Sequence, residues 1–173
     1  MNDQQVEKIQ LEHAAARLFM RLYQRQFHQQ MQHIWHNQPA KPDVSCYFEG
    51  ERLDLEIAHL YGSEVEAMQV LGRQLTPETQ QALLALQAIA PADRLLTSLN
   101  RLVTQKAKKR YESERVWLVI RNANPLWHAD DFRRCQQWLD RPISHPFQQI
   151  WLIGDFRGES GLFRLDPPEN LAD

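Results

Sequence analysis

From Asp3 to about Asn37 the apolar residues Val6, Ile9, Ala16, Phe19, Tyr23, Phe27, Met31 and Ile34 recur near three- and four-residue spacing. That spacing predicts one long amphipathic helix at the N-terminal end. Asn2 or Asp3 can cap it, and Pro39 and Pro42 end it. Its far end, Gln24 to Gln38, is rich in Gln and His, a surface that projects or packs on a partner. The period then changes to two. Leu53, Leu55 and Ile57 fall on one face of an extended segment, and Asp54, Glu56 and Ala58 on the other. Together with Pro42 to Phe48 this predicts a β-hairpin turning at Gly50-Glu51.

Further along, Gly62 and Gly72 bracket a possible short helix over Ser63 to Leu71. Thr76-Pro77-Glu78 opens a helix running to Ile89. Pro91 opens the next, running to about Tyr111 with Leu95, Leu99, Leu102 and Val103 as its apolar stripe. The continuous run Val116 to Ile120 reads as a central strand covered on both faces. Asp130 to Leu139 is helical, Phe147 to Ile153 a strand, and Gly161 to Leu165 a short last strand at an edge. The tail from Asp166 reads as loose. This order predicts an α/β protein, a three-layer α/β/α sandwich around a mixed sheet, in a single domain spanning 1–173.

At 173 residues the chain can bury a sizeable core, and 43% hydrophobic with 24% charged residues is ordinary for a globular domain. A net charge of −2 provides no global attraction to nucleic acid, so any such binding needs a local patch. The two cysteines, Cys46 and Cys135, fit no metal-ligand spacing, and Cys46 among apolar strand residues reads as a buried thiol. No signal-like segment and no apolar run of membrane-spanning length occurs, so a cytoplasmic protein that does not enter a membrane is expected.

The hairpin holds the candidate chemistry. With the two-residue turn at Gly50-Glu51, or a four-residue turn centred on it, Glu56 pairs opposite Ser45 and Ala58 opposite Asp43. Asp43 and Glu56 are then diagonal neighbours on one face, about 7–8 Å apart at the backbone. Two carboxylates so close repel unless a cation lies between them, and an all-oxygen donor set suits Mg²⁺ or Mn²⁺. A three-residue loop would reverse the parity. Asp54 shares that face as a further ligand or a solvent-facing residue, and Ser45 is at most a neighbour of the site. His59 points to the opposite face, toward the core.

Arg101, Lys106, Lys108, Lys109, Arg110 and Arg115 form a basic cluster that can contact phosphates, with Lys108, Lys109 and Arg110 as nucleic-acid contacts. A solvated helix face is the alternative. His28, His33 and His36 include one pair, His33 and His36, at metal-binding helical spacing, although surface histidines are the plainer reading. Trp117 and Trp151 belong to the core, while Trp35 and Trp127 are free to stack on bases. A glycine-rich phosphate loop, a nucleophile elbow and a Cys–His pair at catalytic spacing are all missing from the sequence.

Pro42-Asp43, twelve intervening residues and Glu56-Ile57-Ala58, set in this order of elements, resemble the PD-(D/E)xK nuclease superfamily. That family's core is a helix, a three-stranded meander, a helix and a further strand, the restriction-endonuclease-like fold. The resemblance implies a Mg²⁺- or Mn²⁺-dependent nuclease acting on DNA, with Asp43 and Glu56 as metal ligands and catalytic residues. The family's lysine would fall at position 58, where this chain has Ala58. In some branches it comes from the following helix, and Lys106, which continues the inward stripe of Leu99 and Val103, is the expected substitute, with Lys108 and Lys109 on other faces. The family often adds an acidic residue on the first helix, which points to Glu12 on the apolar face ahead of the outlying Glu7. The alternative implied by Ala58 is an inactive relative serving as a nucleic-acid- or protein-binding module. Its partner, or a second copy of the chain, would dock on the N-terminal helix.

Overall fold

A computed structural model describes residues 2–37, 42–61, 77–78, 81, 91–140, 142 and 144–168. The expected helix over Ser63 to Leu71, most of that from Thr76 to Ile89, and the end of the tail lie outside these residues. The described part is an α/β structure built on one six-stranded mixed sheet. Helix α1 spans Asp3–Phe27, β1 Met31–His36, β2 Val44–Phe48, β3 Glu51–Leu60, α2 Pro91–Ala107, β4 Val116–Asn122, α3 Ala129–Cys135, β5 Gln149–Ile153 and β6 Leu162–Asp166. The strands lie in sequence order across the sheet. β1, β2 and β3 form an antiparallel meander, β3, β4 and β5 run parallel, and β6 closes antiparallel on β5.

Alternation decides which core each strand residue joins. Leu53, Leu55 and Ile57 of β3, with Trp117 and Val119 of β4, pack under α1 against Phe19 and Tyr23. Ala58 and Leu60, with Val116, Leu118 and Ile120, face Leu95, Leu99 and Val103 of α2 and Phe132 of α3. The sheet thus has helices on both faces. Fully buried side chains such as Leu53, Leu55 and Leu118 each stabilise it by about 1.5–3 kcal/mol. Trp127 is also fully buried, which removes it as a base-stacking surface.

The N-terminal helix stops ten residues earlier than its spacing suggests. His28 adopts a left-handed conformation (φ 57°) and its N–H donates to Gln24 O at 2.9 Å, a C-terminal cap. The segment expected to continue the helix is strand β1. Met31 and Ile34 still reach the α1-side core although three residues apart, because a β-bulge at His33 (φ 53°) adds a residue between them. His33 and His36 therefore lie on a strand and not at helical spacing. Helix α2 likewise stops at Ala107 rather than Tyr111.

The hairpin turn also sits one residue earlier than expected. Phe48 pairs with Glu51, and Glu49-Gly50 form the two-residue loop, both with positive φ (53° and 79°), as a type I′ turn requires. Moving the turn by one shifts the pairing by two, so Ser45 faces Asp54 rather than Glu56. Parity is kept.

Candidate active site

β3 has ten residues and β2 only five, so the two pair only as far as Val44 and Leu55. The next position outward sets Asp43 directly opposite Glu56, closer than the diagonal pairing expected. Pro42, with no N–H to donate, precedes the strand. Beyond Glu56 the edge of β3 is left without β2 beside it. The resulting notch opens into a cavity of about 630 Å³. α1 lines it from one face of the sheet with Lys8, Leu11 and Glu12, and the end of α2 from the other with Leu102 and Lys106, followed by Lys109, Arg110 and Tyr111.

Asp43 and Glu56 form the floor, 5% and 3% exposed. Ile57 N–H donates to Asp43 Oδ2 at 2.9 Å, which locks that carboxyl against the strand. Burial, and then the charge of Glu56 against it, push Asp43 up to about 8. Lys106 Nζ lies 3.2 Å from Glu56 Oε1, and Lys109 Nζ 4.0 Å from the same oxygen. The inward stripe thus delivers Lys106 to Glu56. Lys109 was expected on another face, but the helix has ended by then. Its N–H bonds back to Lys106 O at 3.1 Å and folds it toward the carboxylate. Burial and the neighbouring Lys106 lower its pKa. Arg110 lines the cavity, while Lys108 is exposed and Arg115 lies apart, its guanidinium 5.2 Å over the Phe48 ring.

Glu12 lines the same cavity and is buried, with His36 Nε2 3.1 Å away and Lys8 Nζ 3.7 Å away. Glu7 is exposed. Asp54 is neither solvent-facing nor part of the floor. Ser45 Oγ and Arg52 Nε both donate to its Oδ1. Sequence periodicity missed His36, hidden in a segment read as helix. It also missed Tyr111, which follows the end of α2 and belongs to no stripe. The Tyr111 hydroxyl is buried beside Glu56, and burial, followed by the Glu56 charge, raises its pKa.

Among the described residues, no group of three or more His, Cys, Asp or Glu side chains is placed to hold a metal ion. The opposed pair still fits Mg²⁺ or Mn²⁺. Mg²⁺ takes one or two protein carboxylates and keeps several waters, and a buried pair that holds a proton to about 8 is one a divalent cation would relieve. Comparison of the chain with protein-family models, with curated proteins and with solved structures found no match. No helix among the described residues is long and apolar enough to cross a membrane.

Proposed function

We propose that the protein is a metal-dependent nuclease of the PD-(D/E)xK type, with a restriction-endonuclease-like core, that hydrolyses phosphodiester bonds in DNA. The observation that carries the reading is Lys106 Nζ at 3.2 Å from Glu56 Oε1: the ammonium missing at Ala58 reaches the site from α2. The order helix, three-stranded meander, helix, strand, seen in α1, β1 to β3, α2 and β4, supports it further.

Asp43 and Glu56 would hold the Mg²⁺, which when bound lowers the pKa of a water and offsets charge on the reacting phosphate. The chain's own groups do the rest. Lys106, tethered by Glu56, orients the attacking water or stabilises the developing charge on the phosphorane, an interaction strengthened by burial. Ile57 N–H keeps Asp43 in place. Lys109 and Arg110 at the mouth of the cavity bind flanking phosphates.

Incubation with plasmid and oligonucleotide DNA should give Mg²⁺- or Mn²⁺-dependent cleavage that Glu56→Gln abolishes. Failure to cleave any DNA or RNA form, with no Mn²⁺ binding by calorimetry, overturns the reading. A second reading, a nuclease-fold protein that binds nucleic acid or protein without turnover, is favoured by Ala58 on the site strand. Salt-sensitive DNA binding without cleavage in the same assay would select it.

A further inference from the structure

The cavity does not end at the carboxylates. It continues along β3 past His59 to Tyr61, at the end of the strand. The two rings are stacked, 6.1 Å between centroids and only 23° from parallel. Phe156, just after β5, sets its ring 6.4 Å from that of His59. It is 45% exposed, unusual for a phenylalanine in a structure whose other aromatic rings mostly fill the core.

Phe156 is held deliberately. The buried Arg121 places its guanidinium 3.6 Å from the ring centroid and donates from Nε to the Phe156 carbonyl at 2.9 Å. A guanidinium this close over an aromatic face, withdrawn from water, fixes the ring. Among the described residues His59 Nε2 is buried without a hydrogen-bond partner, and burial followed by the Arg121 charge lowers its pKa to about 4, so the imidazole is a neutral ring. Asn124 Nδ2 donates to the Tyr61 carbonyl at 3.0 Å, fixing the backbone there. The result is an aromatic ridge past the C-terminal ends of β3 and β5: His59 and Tyr61 line the cavity that carries Lys109 and Arg110, and Phe156, which lines the neighbouring cavity beside Asn124 and Trp127, extends the ridge from His59.

We propose that His59, Tyr61 and Phe156 form a stacking subsite for an unpaired nucleobase of the strand whose phosphate lies at Asp43 and Glu56. The substrate is therefore nucleic acid with a single-stranded segment at the cleavage point. The inference rests on the nuclease reading above. Three residues of β3, about 10 Å, separate His59 from Glu56; the two side chains leave opposite faces of the strand, as alternation predicts, but both line the one cavity at its open edge, a span that a short stretch of unpaired strand covers. A base stacks on such a surface whatever its identity, whereas paired bases in an intact duplex keep their faces stacked on one another.

The test uses the Glu56→Gln protein in Mg²⁺, with anisotropy measured on labelled single-stranded DNA, single-stranded RNA and blunt duplex DNA of equal length. Phe156→Ala and Tyr61→Leu are expected each to weaken single-strand binding roughly 5- to 100-fold and to leave duplex binding unchanged, with Phe156→Tyr restoring it. The DNA and RNA arms identify which sugar the strand carries. Equal loss on single strand and duplex, or none on either, overturns the stacking subsite and leaves the nuclease reading intact. Failure of the Glu56→Gln protein to bind any of the three overturns the subsite, and the nuclease reading falls with it only if the wild-type protein also neither cleaves nucleic acid nor binds Mn²⁺.

Discussion

Two aspartates sit on the same face of the same hairpin, Asp54 opposite Ser45 and Asp43 two positions further out, where the same register carried past Val44 and Leu55 sets it opposite Glu56. Both are about equally buried, at 4% and 5% exposure. Burial pushes the Asp54 carboxyl up, but hydrogen bonds from Ser113, Ser45 and Arg52, with the Arg52 charge, outweigh it and hold the group below the usual range. Burial pushes Asp43 up as well, and there the largest charge acting on it is another carboxylate, Glu56, so the shift runs to about 8. The hairpin therefore completes one carboxylate with protein donors and leaves the other lacking positive charge. Buried groups are normally satisfied because leaving one unpaired costs roughly 1–3 kcal/mol. Such a deficit at the floor of a cavity supports the proposed divalent-cation site.

The contrast is broken most sharply by removing the cation at each site, Lys106 beside Glu56 and Arg52 beside Asp54. Lys106→Ala should lower cleavage by about 10²- to 10³-fold with substrate affinity little changed, as for other preorganised charge donors. Arg52→Ala, which strips the cation from Asp54, should leave cleavage within a few-fold of wild type. Single-turnover rates for both variants, beside wild type, check this. Equal losses would mean that the two carboxylates belong to one network.

Stability should respond in opposite directions at the two positions. Asp54→Ala removes the acceptor for Ser45 and Arg52, and is expected to destabilise by about 1–3 kcal/mol in urea unfolding. Asp43→Asn keeps an oxygen for Ile57 N–H, adds an amide that can donate to Glu56, and removes the cost of taking up a proton on folding at a pH where the unfolded carboxyl is ionised. Without divalent metal near pH 7.5 it should stabilise by about 1 kcal/mol. A destabilised Asp43→Asn protein would show that the carboxyl is structurally complete.

How much of this was legible in the chain follows from which segments keep one period. β3 alternates strictly, so Leu53, Leu55 and Ile57 separate from Asp54, Glu56 and Ala58 without knowledge of the fold. The turn could move by one residue and still leave Asp43 and Glu56 on one face, because two-residue turns preserve parity. Lys106 was reachable because α2 is still helical there. β1 was not. A bulge at His33 gives Met31 and Ile34 the three-residue spacing of a helix, continuous with Phe27, and only the left-handed cap at His28 marks the break. The surroundings of Asp54 stay hidden in the sequence for another reason. Alternation gives the face of a residue and not what covers it, and Arg52 covers Asp54 from the same strand. Lys109 and Tyr111 reach the site after α2 has ended, where helical counting carries no information.

The smallest and most diagnostic effect is on pH. Asp43 titrates at 3.8 unfolded and at about 8 folded, so its contribution to stability is full below 3.8 and is lost as pH rises toward 8. His59 runs the other way. Its folded value of about 4 lies below 6.5, so its contribution is full above 6.5 and is lost as pH falls toward 4. His13, lowered by burial and by the charge of Arg17, acts on the same side as His59. The contributions of His59 and Asp43 oppose each other between about 4 and 6.5, and Asp43 outlasts His59 from 6.5 to 8. Metal-free protein should therefore lose stability across that upper window, by at most about 1.4 kcal/mol per pH unit for one proton. Asp43→Asn should flatten the slope, and so should saturating Mg²⁺, by replacing the proton between the carboxylates with a cation. Asp54→Asn should leave it unchanged, because a carboxylate already held below its usual range has no proton to release there. Urea midpoints at pH 6.5, 7.2 and 8, with EDTA or Mg²⁺, measure all four cases. A slope that survives Asp43→Asn would place the unfinished charge elsewhere in the cavity, with Glu12 the next carboxylate to replace.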